Sequence, residues 1–120
     1  MKRTSYRPER MAALLKEAIA AYLRSGAKDP RLAAVTVTDV EVSRDFAVAT
    51  VRVSALGDDD AKRLALEGLE HARGHLRTQL ARELPLKHMP ALRFERDRGL
   101  EHARRIEDLL AEIERGEENP

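Results

Sequence analysis

The sequence predicts an α+β fold in which helices pack on a three-stranded sheet. Three observations carry that prediction. All seven valines fall between positions 35 and 53, in runs that alternate with polar residues. β-Branched residues suit a pleated surface, so this stretch predicts strands. On either side of it, apolar residues recur at the three- and four-residue intervals of an amphipathic helix. A chain of 120 residues, 42% hydrophobic and 36% charged, fits one folded domain and is too apolar for disorder.

Taken in order, the elements are helix, two strands, two helices joined at a kink, a strand and a final helix. Pro8 suits a first helical turn. Met11, Leu14, Leu15, Ala18, Ile19, Tyr22 and Leu23 then share one helix face, and Gly26 is a natural stop. Val35 and Val37 alternate with Thr36 and Thr38, but Val40 and Val42 take the opposite parity, which predicts a bulge near Asp39. Ser43-Arg44-Asp45 reads as a tight turn. Ala47, Ala49, Val51 and Val53 form the second strand of a hairpin.

Gly57-Asp58-Asp59-Asp60 reads as a loop that caps the next helix and supplies acids to its first turn. Ala61, Leu64, Ala65, Gly68, Leu69 and Ala72 then form one apolar series. Leu76, Leu80, Ala81 and Leu84 form another. Gly74 sits where they change over, so the sequence predicts a kink at Ala72-Arg73-Gly74. Pro85 ends the second helix. Leu92 and Phe94 mark a third strand. Leu100, Ala103, Ile106, Leu110 and Ile113 mark the terminal helix. The expected organisation is one domain over 1–120, with a core over 5–113 and a short acidic tail over 114–120.

Composition excludes several chemistries. There is no cysteine, hence no disulfide, thiolate metal site or cysteine nucleophile. The longest apolar run, Ala18–Leu23, is six residues, against about 20 for a membrane span. No secretory signal is visible, so a soluble cytoplasmic protein is expected. Seventeen of the 22 basic residues are Arg. A GC-rich genome accounts for that, and so does the fit of guanidinium to phosphate.

The net charge of +1 hides segregation. Residues 1–30 carry seven basic and three acidic residues, and residues 61–98 nine and five. Residues 31–60 carry three and six, and residues 99–120 three and seven. Two basic segments alternating with acidic ones predict a basic face able to meet polyanions.

Catalysis has no positive signal. His71 and His75 have the spacing of a helical metal pair, but no Glu follows the first and no third ligand is suggested. No Ser sits in a nucleophile elbow, and no phosphate-binding glycine fingerprint occurs. The kink has more content. A second helix starting there would present N–H groups to phosphate, and a glycine lets a sugar-phosphate backbone approach closely. His71, Arg73, His75, Arg77 and Arg82 surround it. Four aromatic side chains in all are too few for base stacking as the main interaction.

The α-β-β-α-kink-α-β order with Ala-x-Gly at the kink resembles the ribosome-binding factor A family, whose members are type II KH-like. Asp29-Pro30-Arg31-Leu32 before Val35-Thr36-Val37-Thr38 is similar to that family's entry into its first strand. Val40–Ala49 is similar to its hairpin, Ala72–Arg77 to its kink, and Met89–Phe94 with Asp97 to its third strand. Arg7-Pro8-Glu9-Arg10 also fits. One departure is Glu101-His102-Ala103-Arg104-Arg105, more charged than the resemblance leads one to expect.

The resemblance implies a type II KH-like domain with a three-stranded sheet and a C-terminal helix. It implies a factor without enzymatic activity or cofactor. Such a factor binds the free small (30S) ribosomal subunit, assists late maturation of 16S rRNA including its 5′ region, and supports growth in the cold. It leaves before translation, in some bacteria with help from a GTPase, and nothing demands more than a monomer. Carried over by position, Ala72, Arg73 and Gly74 are expected at the rRNA-facing surface. Charge and spacing add His75, Arg77, Lys2, Arg3, Arg7 and Arg10. Rival readings are a module docking on ribosomal proteins and a metal hydrolase using His71 and His75.

Overall fold

Pro8 opens the first helix, α1 (Pro8–Ala21), where its missing N–H would have no partner anyway. The computed structural model of the chain describes residues 6–118. Helix α1 buries Met11, Leu15 and Ile19, the predicted face. Its continuation, Tyr22–Gly26, widens into a π-turn closed by the Ala27 N–H on the Tyr22 carbonyl at 2.9 Å. A 3₁₀ turn, Pro30–Leu32, follows and is capped by the Asp29 carboxylate.

Strands β1 (Val35–Val42) and β2 (Val48–Ala55) pair antiparallel, and the ladder shifts register between Val37 and Asp39. The predicted bulge is therefore present and leaves Thr38 unpaired. It also lets Val35, Val37, Val40 and Val42 all face the core across the change of parity. The connecting turn places Phe46 at φ 59°, the left-handed region that costs a bulky residue strain. Contact of its half-buried ring with the core offsets that cost.

The largest departure from expectation is α2 (Asp59–Glu83), one helix of 25 residues. It runs through Ala72-Arg73-Gly74, so the two predicted helices joined at a kink are a single element. The reason is the buried stripe. Ala65, Leu69, Leu76 and Leu80 are buried and Ala72 packs against them, at spacings of three and four residues that continue past Gly74. Leu64 and Ala81, counted in the predicted series, are exposed. A single glycine costs a helix interior about 1 kcal/mol, less than the burial of either leucine beyond it contributes. Leu84 ends the helix in an extended conformation before Pro85.

Strand β3 (Ala91–Arg96) lies beside β2 and parallel to it, in the order β1-β2-β3. α1 packs on β1, and α2 on β2 and β3, so both helices cover one face. The other face is polar, with Arg52 bridging Asp39, Glu41 and Glu95 at 3.2, 3.1 and 3.7 Å.

Helix α3 (Arg98–Glu118) starts on the Asp97 cap, whose carboxylate accepts the Leu100 N–H at 2.9 Å and the Thr38 hydroxyl at 2.6 Å. Residues 114–118, expected as tail, are helical; Glu and Arg propagate a helix readily. The ion pairs that hold α3 come from its first turn. Beyond it, Ile106, Leu109, Leu110 and Ile113 are 45–57% exposed, so the predicted apolar face lies open. A helix of this length spans about 31 Å, and the molecule measures 68 Å along its longest axis against 29 and 19 Å across.

Candidate nucleic-acid interface

The residues around Gly74 are distributed by helix geometry. At 100° per residue, Arg73 and Arg77 fall on one flank of α2, and His71 and His75 on the other. Gly74 lies between them on the outward crest. No atom outside the helix's own neighbourhood comes within 4 Å of where a Cβ at position 74 would stand. A ligand can therefore approach the backbone there without meeting a side chain. Ala72 is half-buried and turns its methyl group to the core rather than standing at the surface.

The arginine flank faces β3. Arg77 donates to the Met89 carbonyl at 2.9 Å and to the Pro90 carbonyl at 3.3 Å, which fixes the chain entering β3. A guanidinium has five donors, so Arg77 keeps others free for an anion. Arg73 pairs with Glu70 at 3.3 Å, and both are about half exposed. Such a surface pair contributes about 0–1 kcal/mol and exchanges readily for a phosphate.

The histidine flank faces α1 and the 3₁₀ turn. The Arg31 guanidinium lies 2.9 Å from His71 Nδ1. Arginine can only donate, so the ring nitrogen accepts in this contact. Asp29 holds the other side of Arg31 at 2.6 Å, and that guanidinium keeps the Asp29 carboxyl below the ordinary carboxylate range. The Tyr22 hydroxyl and His75 Nδ1 are 2.9 Å apart. Burial pushes the Tyr22 phenol up, so it stays protonated. Both imidazoles thus tie α2 to the N-terminal half, and do not face each other as a metal pair.

Arg7 and Arg10 stand at the first turn of α1, where Arg10 stacks over the Tyr6 ring at 5.6 Å. They lie about 18–22 Å along the helix from Tyr22, so they form a separate patch from the Gly74 crest. Lys2 and Arg3 lie outside the described residues. Sequence reading missed Arg31, because only the chain's return across α2 brings it to His71. It also passed over Arg24 and Lys28, which line a groove of 760 Å³ beside the open edge of β1. Their signal was no more than the general positive charge of residues 1–30.

Among the described residues no helix is long and apolar enough to cross a membrane, and no group of three or more metal-ligating side chains occurs.

Known proteins match both sequence and fold. The Ribosome-binding factor A family profile matches residues 7–110. A ribosome-binding factor A of Gemmatimonas aurantiaca is 48% identical over 108 residues, covering 89% of this chain and 74% of the relative. One of Desulforamulus reducens is 39% identical over 116 residues and covers 97% of each chain. The crystal structure of ribosome-binding factor A from Thermus thermophilus superposes with a TM-score of 0.66 at 33% identity, covering 76% of this chain and 97% of that one. Coordinates of the Thermus thermophilus factor fitted into a cryo-EM map of a 30S complex give a TM-score of 0.60 at 34% identity, over 72% and 91% of the two chains. The helix, hairpin, long helix and parallel third strand are those of a KH-like domain, and the chain belongs to the ribosome-binding factor A family.

Proposed function

We propose that this chain binds the free small ribosomal subunit and acts there without catalysis. The observation that carries this reading is the relative of like fold and 34% identity whose coordinates belong to a 30S complex. The geometry of α2 supports a phosphate contact. The open crest at Gly74 admits a sugar-phosphate backbone, and Arg73 and Arg77 stand on one side of it. The scarcity of aromatics favours recognition of rRNA by shape and phosphate over base stacking.

Late maturation of 16S rRNA, including its 5′ end, is the role this binding serves in our reading, in the cytoplasm, with release assisted by a GTPase. Precursor 16S rRNA should accumulate in cells lacking the protein, most strongly in the cold.

Sedimentation with free small subunits, large subunits and whole ribosomes tests the assignment. Retention on small subunits alone is expected, and equal binding to all three would overturn it. Arg73→Gln is the cleaner site probe, since Arg77 also holds Met89 and Pro90. The variant should lower affinity and flatten the salt dependence of binding by about one unit of slope.

A further inference from the structure

The Glu101–Arg105 stretch, more charged than the family resemblance implies, has a defined setting in the structure. A cleft of 380 Å³ opens where the end of β2, the first turns of α2, the end of β3 and the first turns of α3 meet. Five cations line it, Lys62, Arg96, Arg98, Arg104 and Arg105, against three carboxylates, Asp59, Glu101 and Asp108.

The carboxylates are unevenly used. Arg96, the most buried of the five, takes Glu101 at 2.9 Å and Asp59 at 3.3 Å. Arg98 reaches the same Glu101 at 3.7 Å. That leaves Lys62, Arg104 and Arg105 with no carboxylate within 4 Å among the described residues; Asp108 is not paired with any of them. Lys62 is half-buried in this state. Five cations against three carboxylates leave this concave site with an excess of two positive charges, which attracts an anion from outside.

We infer that this cleft is a second RNA contact, taking a sugar-phosphate segment on Lys62, Arg104 and Arg105. The inference rests on the reading of the protein as a small-subunit binder and extends it. Its lining favours phosphate over an acidic protein segment. Apart from charged groups it offers only Ser54 and Ala55, so there is no pocket for the apolar anchors that a protein interface needs. The guanidinium fork matches phosphate geometry.

Position makes it a separate contact. Lys62 and Arg73 are eleven residues apart on α2, about three turns, so they share the flank that faces β3 at a separation of about 16 Å. Arg77 marks the β3 entry end of that flank and Arg96 the exit end. An RNA backbone lying along this side would be held at both ends.

The test is the double variant Arg104→Gln/Arg105→Gln, with Arg115→Gln as a charge control on the last turn of α3. All three side chains are exposed and none of them forms an ion pair among the described residues, so the fold should survive; far-UV CD and the melting temperature check this. Binding to free small subunits is measured across a salt series. The double variant should bind about tenfold more weakly or worse, with its slope reduced by about one unit per lost contact, while Arg115→Gln matches wild type. Protein-free 16S rRNA should report the same loss.

Unchanged affinity and slope in the double variant would overturn the cleft while leaving the proposed function standing. Equal weakening by Arg115→Gln would reduce the effect to bulk charge and overturn it too. A loss seen on subunits and absent on protein-free rRNA would assign the cleft to an acidic protein instead. Failure of the wild type to bind small subunits would overturn the proposed function and the cleft together.

Discussion

Gly74→Ala separates stability from binding at one position. A glycine within a helix costs about 0.8–1 kcal/mol relative to alanine, through backbone entropy and exposed peptide groups. At position 74 that cost has no packing reason behind it, because an added methyl group would meet nothing within 4 Å. The substitution should therefore stabilise the free protein by about 0.5–1 kcal/mol. With an unfolding entropy of about 2.1 cal/mol/K per residue over 120 residues, this raises the melting temperature by about 2–4 °C. The same methyl group would stand in the path of a backbone approaching the crest, so affinity for small subunits should fall. Thermal unfolding by circular dichroism and a sedimentation titration give the two readings. A lower melting temperature would refute the open-crest geometry. A higher melting temperature with unchanged affinity would refute the close approach of RNA at Gly74.

Gly68→Ala should act in the opposite direction. Its Cβ would lie 3.1 Å from the Arg31 Cβ and 3.2 Å from the Leu32 Cδ2. Leu32 is fully buried and Arg31 is clamped by Asp29 and His71, so overpacking of about 1–3 kcal/mol should exceed the helix gain and lower the denaturant midpoint. Asp97→Ala removes the α3 cap and the acceptor of the Thr38 hydroxyl, and should cost about 1–2 kcal/mol in chemical denaturation. Acid should destabilise the fold. The Asp29, Asp45, Asp97 and Glu101 carboxyls are held below their ordinary values, by hydrogen bonds from Arg31, Ser43, Thr38 and Arg96 respectively. A depressed carboxyl contributes stability above its unfolded value and loses it as pH falls through the folded one. The urea midpoint should thus be level near neutrality and fall below about pH 5, less steeply in Asp97→Asn; a midpoint independent of pH down to 3 would contradict these hydrogen bonds.

Much of the fold was legible because its signals are local. The valine runs, their change of parity at the bulge, Pro8, Asp58 and Pro85 each act within a few residues, and the structure carries each as expected. The division of this helix into two was misread for a local reason as well. A glycine signals a break in isolation, and only the neighbouring sheet, which buries Leu76 and Leu80 along with Ala65 and Leu69, makes a continuous helix the better solution. The candidate site was legible only as a list of residues. Arg73, His75 and Arg77 are close in sequence, but helix rotation sends the histidine to Tyr22 and the arginines towards β3.

By itself the sequence determined the α+β class, the order and approximate bounds of the first helix and the three strands, and the family. These depend on periodicity, turn residues and motif order, which are properties of neighbours along the chain. The tertiary structure alone decided which cations are neutralised and which stay unpaired. Arg96 meets Asp59 across 37 positions, Arg52 meets Glu95 across the sheet, and Lys62 comes beside Arg104 and Arg105 in one cleft. The physical reason is that charges interact through space over a few ångströms, whereas the chain brings those groups together only after the sheet has closed against its helices.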